Sequence, residues 1–288
     1  PMTVAVESLS ETYARDGFVF PIEVVDRFEA SSIRNDLEKA ETELAHDQER
    51  LGLVRAYPDR LLPSFDRLVR HSNLIAAVSP LLGPDLMVWS GGLFIKEANS
   101  PKVVTWHQDL NYWGLDEVNE VTAWVALSPA TVANGCMRFV PGSHRQSLVP
   151  HKDTFDENNL LSRGQEITVD VNDADGVNVI LEPGQASLHH GHLFHASGPN
   201  TTDQRRVAAA IRFISTSMRQ ETGDRTLVTL VSGEDHYGHF TVAGPPRGRL
   251  VEEDFELCRR DAAIKRQILY VGAEGKVGER HAATHGAY

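Results

Sequence analysis

Through residues 8–83, apolar positions fall mainly at three- and four-residue spacing; from residue 86 they gather into short β-rich runs separated by turn residues. SLSETYARDGFVF (8–20) predicts a short helix that stops near Gly17 and passes into a strand. VVDRFEASSIRNDLEKAETELAHDQERL (24–51) predicts a second helix, and FDRLVRHSNLIAAVSPLLG (65–83) a third that ends around Pro80 and Gly83. The runs LMVWSGGLFIK, KVVTWHQDL, VTAWVALSPA, CMRFVPGSH, EITVDV, VNVILEPGQASLHHG, HLFHASG and RRVAAAIRFIS predict strands, spaced as in an all-β sandwich or barrel. Strands and helices do not alternate, which argues against a doubly wound sheet. EEDFELCRRDAAIKRQIL returns to a helical period, and GAEGKVGERHAATHGAY has the composition of a loose tail. The expectation is one domain over 1–288, mainly β with flanking helices. A helical part would run to about residue 85, a jelly-roll, cupin-like core from about 86 to 220, and a C-terminal extension over 221–288.

The composition narrows the partners. Charged residues make up 24% of the chain and hydrophobic residues 41%, ordinary values for a globular protein. A net charge of −12 argues against nucleic acid, whose phosphates need a basic face, and weakly against a membrane surface. No apolar run reaches the length of a membrane span, and no basic segment followed by an apolar one marks a secretory signal. Cys136 and Cys258 are too few for a disulfide framework, so a cytoplasmic setting is expected. A small molecule remains as the expected partner; a homodimer stays open.

The chemistry begins in TWHQDLNYW (105–113). Residues two apart on a strand share a face, so Val103, Thr105, His107 and Asp109 would point one way and Val104, Trp106, Gln108 and Leu110 the other. An imidazole and a carboxylate aimed together make two-thirds of the 2-His-1-carboxylate site of non-haem Fe(II) oxygenases. The alternative is a buried His–Asp hydrogen bond with no metal. A second histidine has four candidates in LHHGHLFHASG: His189, His190, His192 and His195. With the turn at Gly191, His195 and Ser197 would face one side of the next strand, while His190 and His192 flank the turn. Further on, Arg206, Ala208, Ala210 and Arg212 alternate with Val207, Ala209, Ile211 and Phe213. An arginine followed by two alanines sets a cationic fork above open space, suited to a small dicarboxylate; the alternative is a surface arginine on an edge strand. Two other histidine pairs, His236 with His239 and His281 with His285, lack a third ligand.

The pieces HQDLNYW, NGCMRFVPGSHR and HHGHLFHASGPNTTDQRRVAAAIRF, with RDGFVF as a weaker match, together resemble the phytanoyl-CoA dioxygenase family of Fe(II)/2-oxoglutarate oxygenases over residues 10–215. The resemblance implies a double-stranded β-helix and iron held by His107, Asp109 and His195. It places the distal carboxylate of 2-oxoglutarate on Arg206, with Ser197 as a hydroxyl donor. Trp113 matches an aromatic position that lines the pocket of related ectoine hydroxylases. Halogenating relatives replace the aspartate with a small residue; Asp109 is present here, which favours hydroxylation.

Lys96 and Gln108 are further expected cosubstrate contacts, although Lys96 has the alternative of snorkelling to solvent. Asn111, Tyr112, Trp113 and Arg212 are the expected substrate pocket, with Trp106, Phe94 and Phe194 as walls or backing. The expected enzyme is a dioxygenase using Fe(II), 2-oxoglutarate and O2 to hydroxylate an aliphatic C–H bond of a small metabolite, with succinate and CO2 as coproducts. The competing expectations are a cupin-like metal-binding protein without catalysis and a metal-dependent hydrolase on the same triad. Nothing in the chain names the substrate.

Overall fold

A computed structural model of the chain describes residues 7–116, 118–221 and 223–271. The N-terminal elements are α1 (Leu9–Asp16), β1 (Phe18–Glu23), α2 (Arg27–Glu43), α3 (Gln48–Ala56), α4 (Pro58–Leu61), α5 (Pro63–Val69) and α6 (Ser72–Leu82). Next come β2 (Leu86–Ser90), β3 (Leu93–Lys96), β4 (Val104–His107), β5 (Glu120–Ala126), β6 (Met137–Phe139), β7 (His151–Asp153) and β8 (Gln165–Ile167). The chain continues through β9 (Val177–Asn178), β10 (Gln185–His190), β11 (His195–Ser197), β12 (Arg206–Ser215), β13 (Leu227–Ser232), β14 (Thr241–Val242) and α7 (Glu252–Leu269).

Local chemistry explains the breaks. Ser8 and Glu11 form a reciprocal capping box on α1, and Gly17 ends the helix at φ +83°, its N–H returning to the Tyr13 carbonyl at 2.8 Å. A Cβ on Gly17 would also meet the His144 ring at 2.5 Å, so the position is closed to other residues. The single helix expected over 24–51 is two. Asp47 accepts from the Arg50 N–H at 3.1 Å and starts α3 afresh, which the apolar period alone does not reveal. The helix expected over 65–83 also divides, with the His71 imidazole capping α6 through the Asn73 N–H.

The two main sheets are facing layers, not a closed barrel, and β7 and β8 pair apart from them. The larger has eight strands in the order β1-β10-β5-β12-β2-β13-β14, with β3 also paired to β12; the smaller is β4-β11-β6-β9. Phe18, Trp124, Ala208 and Ala210 from the larger sheet pack against Met137 and Phe139 from the smaller. The opposite face of the larger sheet, Val121, Ala123, Val125, Val207, Ala209, Ile211 and Phe213, is buried under helices with Leu37, Leu61, Phe65 and Leu74. Burying each of the Val, Leu, Ile and Phe side chains contributes about 1.5–3 kcal/mol, which makes this helix-covered face a main source of stability. The alternation read along residues 206–213 therefore sorts helix-side from cavity-side residues. This is the jelly-roll expected from the sequence.

The expected boundaries do not divide the sheet. β1, from the helical part, pairs with β10, and β13, from the supposed extension, pairs with β2. α7 adds Phe255 and Cys258 to the helix-side core, and its Asp261 accepts from the Tyr57 hydroxyl at 2.8 Å. The loose tail, with His281 and His285, lies outside the described residues. Among the described residues, no helix is long and apolar enough to cross a membrane.

Candidate metal centre

β4 and β11 are antiparallel with His107 directly opposite His195, and this register brings the two rings to 4.1 Å between centroids. The strand ends at His107. Asp109 does not continue it, as the alternation predicts, but opens a 3-10 turn over Asp109–Tyr112. The turn is pinned where the Leu110 N–H donates to the Gly191 carbonyl at 3.2 Å, and a Cβ on Gly191 would strike the Leu110 side chain at 2.5 Å. The carboxylate is thereby folded back, its Oδ1 lying 3.1 Å from His107 Nε2 and 3.5 Å from His195 Nε2. The three ligand atoms all lie within 4.8 Å of one another and all three residues are buried; among the described residues no other such cluster occurs.

The hydrogen bonds decide what this cluster can hold. His107 Nδ1 lies 2.8 Å from the Thr105 carbonyl and His195 Nδ1 lies 3.0 Å from the Leu193 carbonyl. A carbonyl only accepts, so both Nδ1 atoms carry protons and both rings turn Nε2 toward the Asp109 carboxylate. Two imidazole Nε2 atoms and a carboxylate oxygen thus converge on one point, the donor set of a cation site. Burial also pushes the His195 pKa well below the usual histidine value, keeping its lone pair free. Burial raises the Asp109 pKa, but the surrounding imidazoles outweigh it and hold the group well below the usual carboxylate range.

The histidine run separates into different environments. His189 is fully inside, with Nε2 3.5 Å from Asp109 Oδ2 and neither ring nitrogen hydrogen-bonded. His190 and His192 are half-buried, the His190 ring packing against His144 and His192. Sequence reasoning names His189 only as one of four candidates. Its register opposite Thr122 on β5 puts it beside the triad, and that pairing is not visible in one strand's pattern.

Between the sheets lies a cavity of about 410 Å³, bordered by His107, Asp109, His195, Ser197, Arg206 and Arg212. Arg206 and Arg212 share a face of β12 and lie about 20 Å apart along the strand, so they stand toward opposite ends. Arg206 is 1% exposed, donates to the Gly135 carbonyl and lies 5.0 Å above the Trp124 ring. Burial lowers its pKa to about 10, and its Nε has no partner. Lys96 is paired in register with Arg206 but sits behind the wall, donating to Ser197 Oγ at 2.7 Å and to the Gly198 carbonyl. Burial, with Arg206 nearby, lowers its pKa to about 6. Snorkelling is ruled out for a residue 1% exposed. Gly135 (φ +79°) permits this crowding, since a Cβ there would meet the Gly198 carbonyl at 2.3 Å.

Other expected contacts fall elsewhere. Gln108 faces away: its amide donates to the Ser147 and His192 carbonyls and accepts from the Val149 N–H at 2.9 Å, so it ties loops together rather than lining the cavity. Asn111 is exposed and borders neither this cavity nor the one beside it. Tyr112 and Trp113 line a second compartment of about 270 Å³ that shares Phe94, His107, Asp109 and Arg212 with the first. Trp106 lies toward the outer surface, bonded to Asp173 at 3.1 Å, and Phe194 is buried behind the cavity wall. His236 is exposed, near Asp85 and Glu234.

Comparison with known proteins agrees with this geometry. The sequence model for phytanoyl-CoA dioxygenase (PhyH) matches residues 13–208. A probable phytanoyl-CoA dioxygenase of Caenorhabditis elegans is 25% identical over 239 residues, 81% of this chain and 70% of that protein. The peroxisomal phytanoyl-CoA dioxygenase of Homo sapiens is 29% identical over 147 residues, 50% of this chain, and the match spans only 44% of that protein. Among solved structures, the non-heme monooxygenase ThoJ in its apo form is 33% identical with a TM-score of 0.81, covering 92% of this chain and 98% of that one. Its nickel complex is 30% identical with a TM-score of 0.76, covering 92% and 100%.

Proposed function

The chain belongs to the phytanoyl-CoA dioxygenase family, and on that premise we propose that it is an Fe(II)- and 2-oxoglutarate-dependent dioxygenase that hydroxylates an aliphatic C–H bond of a small molecule. His107, Asp109 and His195 would hold the iron, and the carrying observation is their convergence as three buried ligand groups, with the Nδ1 protons of both histidines committed to backbone carbonyls. The bound iron supplies dioxygen activation, coupled to oxidative decarboxylation of 2-oxoglutarate to succinate and CO2.

The chain's own residues position and shield. The Thr105 and Leu193 carbonyls fix the tautomer and ring plane of the two histidines, so neither has to reorganise when metal enters. Arg206 receives the distal carboxylate of the cosubstrate, oriented by its bond to the Gly135 carbonyl and by the Trp124 ring. Ser197 borders the same end and offers its hydroxyl, with Lys96 behind it as a charge reserve. Phe94, Val104, Trp124 and Met137 form apolar walls that exclude water from the reacting centre. A metal-binding protein without catalysis, or a hydrolase on the same triad, has no use for a desolvated guanidinium across the cavity.

Mixing the anaerobic Fe(II) protein with 2-oxoglutarate should produce a metal-to-ligand charge-transfer band, and admitting air should release succinate. Absence of both would end this reading.

A further inference from the structure

Arg206, Lys96 and Ser197 account for one end of the cavity and leave a second buried guanidinium unexplained. Arg212 is 2% exposed, yet none of the described carboxylates stands at ion-pair distance from it. Its hydrogen bonds are both long, from Nη1 to Ser90 Oγ at 3.3 Å and to the Ala210 carbonyl at 3.5 Å, and its Nε has no partner. The nearby acid Glu120 turns one oxygen to the Thr122 hydroxyl at 2.6 Å, and burial followed by the Asp109 charge holds its carboxyl well above the usual range. Asp109 and Glu120 act on this guanidinium only through space, so its N–H groups have no direct carboxylate partner, a place the acid group of a ligand could take.

The surroundings indicate what that ligand would be. The guanidinium carbon lies 5.2 Å from the Trp113 ring centroid and 5.8 Å from that of Phe94, within cation–π range of both. It borders the second compartment, whose remaining walls are Tyr112, Leu161 and Gln165 beside Trp113. Phe94, Tyr112, Trp113 and Leu161 give this space an apolar side, and Arg212 and Gln165, with His107 and Asp109 of the triad, give it a polar one. His107 and Asp109 open into it as well, so a molecule lodged there lies against the reacting centre.

We propose that the second compartment takes a small monocarboxylate with an apolar body, and that Arg212 grips its acid group so that an aliphatic C–H faces the triad. The inference rests on the oxygenase reading, because it assigns Arg206 to the cosubstrate and Arg212 to the substrate. A planar two-oxygen acid suits the arginine fork, and the aromatic walls suit the hydrocarbon portion.

The test uses the full chain loaded with nickel(II), with and without 2-oxoglutarate. It is titrated with 4-methylpentanoate against 4-methylpentanamide and phenylacetate against phenylacetamide, read by calorimetry and by the fluorescence of Trp113 and its neighbours. With 2-oxoglutarate present each acid should bind about tenfold or more tightly than its amide. Arg212→Gln should abolish that preference, and Arg212→Lys should restore part of it. Equal binding of acid and amide to the parent protein overturns the inference and needs no variant to fold. A preference that survives Arg212→Gln overturns it too. Failure of the oxygenase reading would show separately, as a missing charge-transfer band in the parent Fe(II) protein.

Discussion

Replacing Arg206 with methionine separates its proposed role from its role in the fold. The side chain is 1% exposed and makes no ion pair with a described residue, so in the cosubstrate-free protein its charge is desolvated without a counter-ion. Replacing such a charge by an apolar group of similar volume is often neutral or stabilising, by about 1–4 kcal/mol. The same change removes one partner of a buried carboxylate–guanidinium pair once 2-oxoglutarate is bound, a loss of about 2–5 kcal/mol. At 1.36 kcal/mol per tenfold, that weakens cosubstrate binding by roughly 30- to 5,000-fold. Thermal unfolding of the metal-free protein should therefore show an unchanged or higher Tm for Arg206→Met. Succinate release at saturating Fe(II) should need far more 2-oxoglutarate, and metal affinity should stay within a few-fold because Arg206 touches none of the triad. An unaltered 2-oxoglutarate dependence would refute the reasoning and move the anchor to Arg212 or Lys96. Arg205 is a poor substitute because Glu41 and Glu97 already hold it at 2.9 and 2.7 Å.

Asp109→Ala should remain folded by circular dichroism and lose iron-dependent succinate release to background. His189→Phe keeps the aromatic volume but removes the ring nitrogen facing Asp109 Oδ2; metal affinity, followed by Co(II) titration, should fall about 10- to 100-fold. Metal at about 100 times its Kd should stabilise the folded chain by ~2.7 kcal/mol, a rise in Tm that Asp109→Ala should lose. Lys96, with its pKa near 6 in the cosubstrate-free protein, is neutral above that pH, and a bound dicarboxylate favours its ammonium form. Binding therefore takes up a proton, and 2-oxoglutarate affinity should weaken as pH rises from about 6 to 8 in calorimetry of the nickel protein. Lys96→Met should flatten that profile, and an equally steep slope in the variant would count against the assignment.

Much of this was legible in the chain because period-two patterns report which side chains share a face. Residues 206–213 sort correctly between helix-side core and cavity, and the 252–269 helix is visible end to end in its apolar spacing. The triad was readable for a different reason: a strand and a 3-10 turn both allow residues two apart to converge, so the wrong local structure at Asp109 still gave the right neighbours. Gln108 shows where the method runs out. An amide beside two metal-ligand candidates looks like a binding group, but its partners are carbonyls at Ser147 and His192, supplied by loops that only the fold brings near. His189 and β13 escaped likewise, since strand register depends on pairing across long sequence separations.

α7 is fastened to the second compartment through a short relay. Lys265 Nζ donates to the Trp89 carbonyl at 2.9 Å and sits 4.4 Å from the Trp89 ring, which stacks on Trp113 at 5.2 Å, the ring that in turn flanks Arg212. A gene trimmed to the stretch that carries every expected ligand would therefore keep its inventory and lose its backstop. Changes along α7 would reach the second compartment through Trp89 and Trp113.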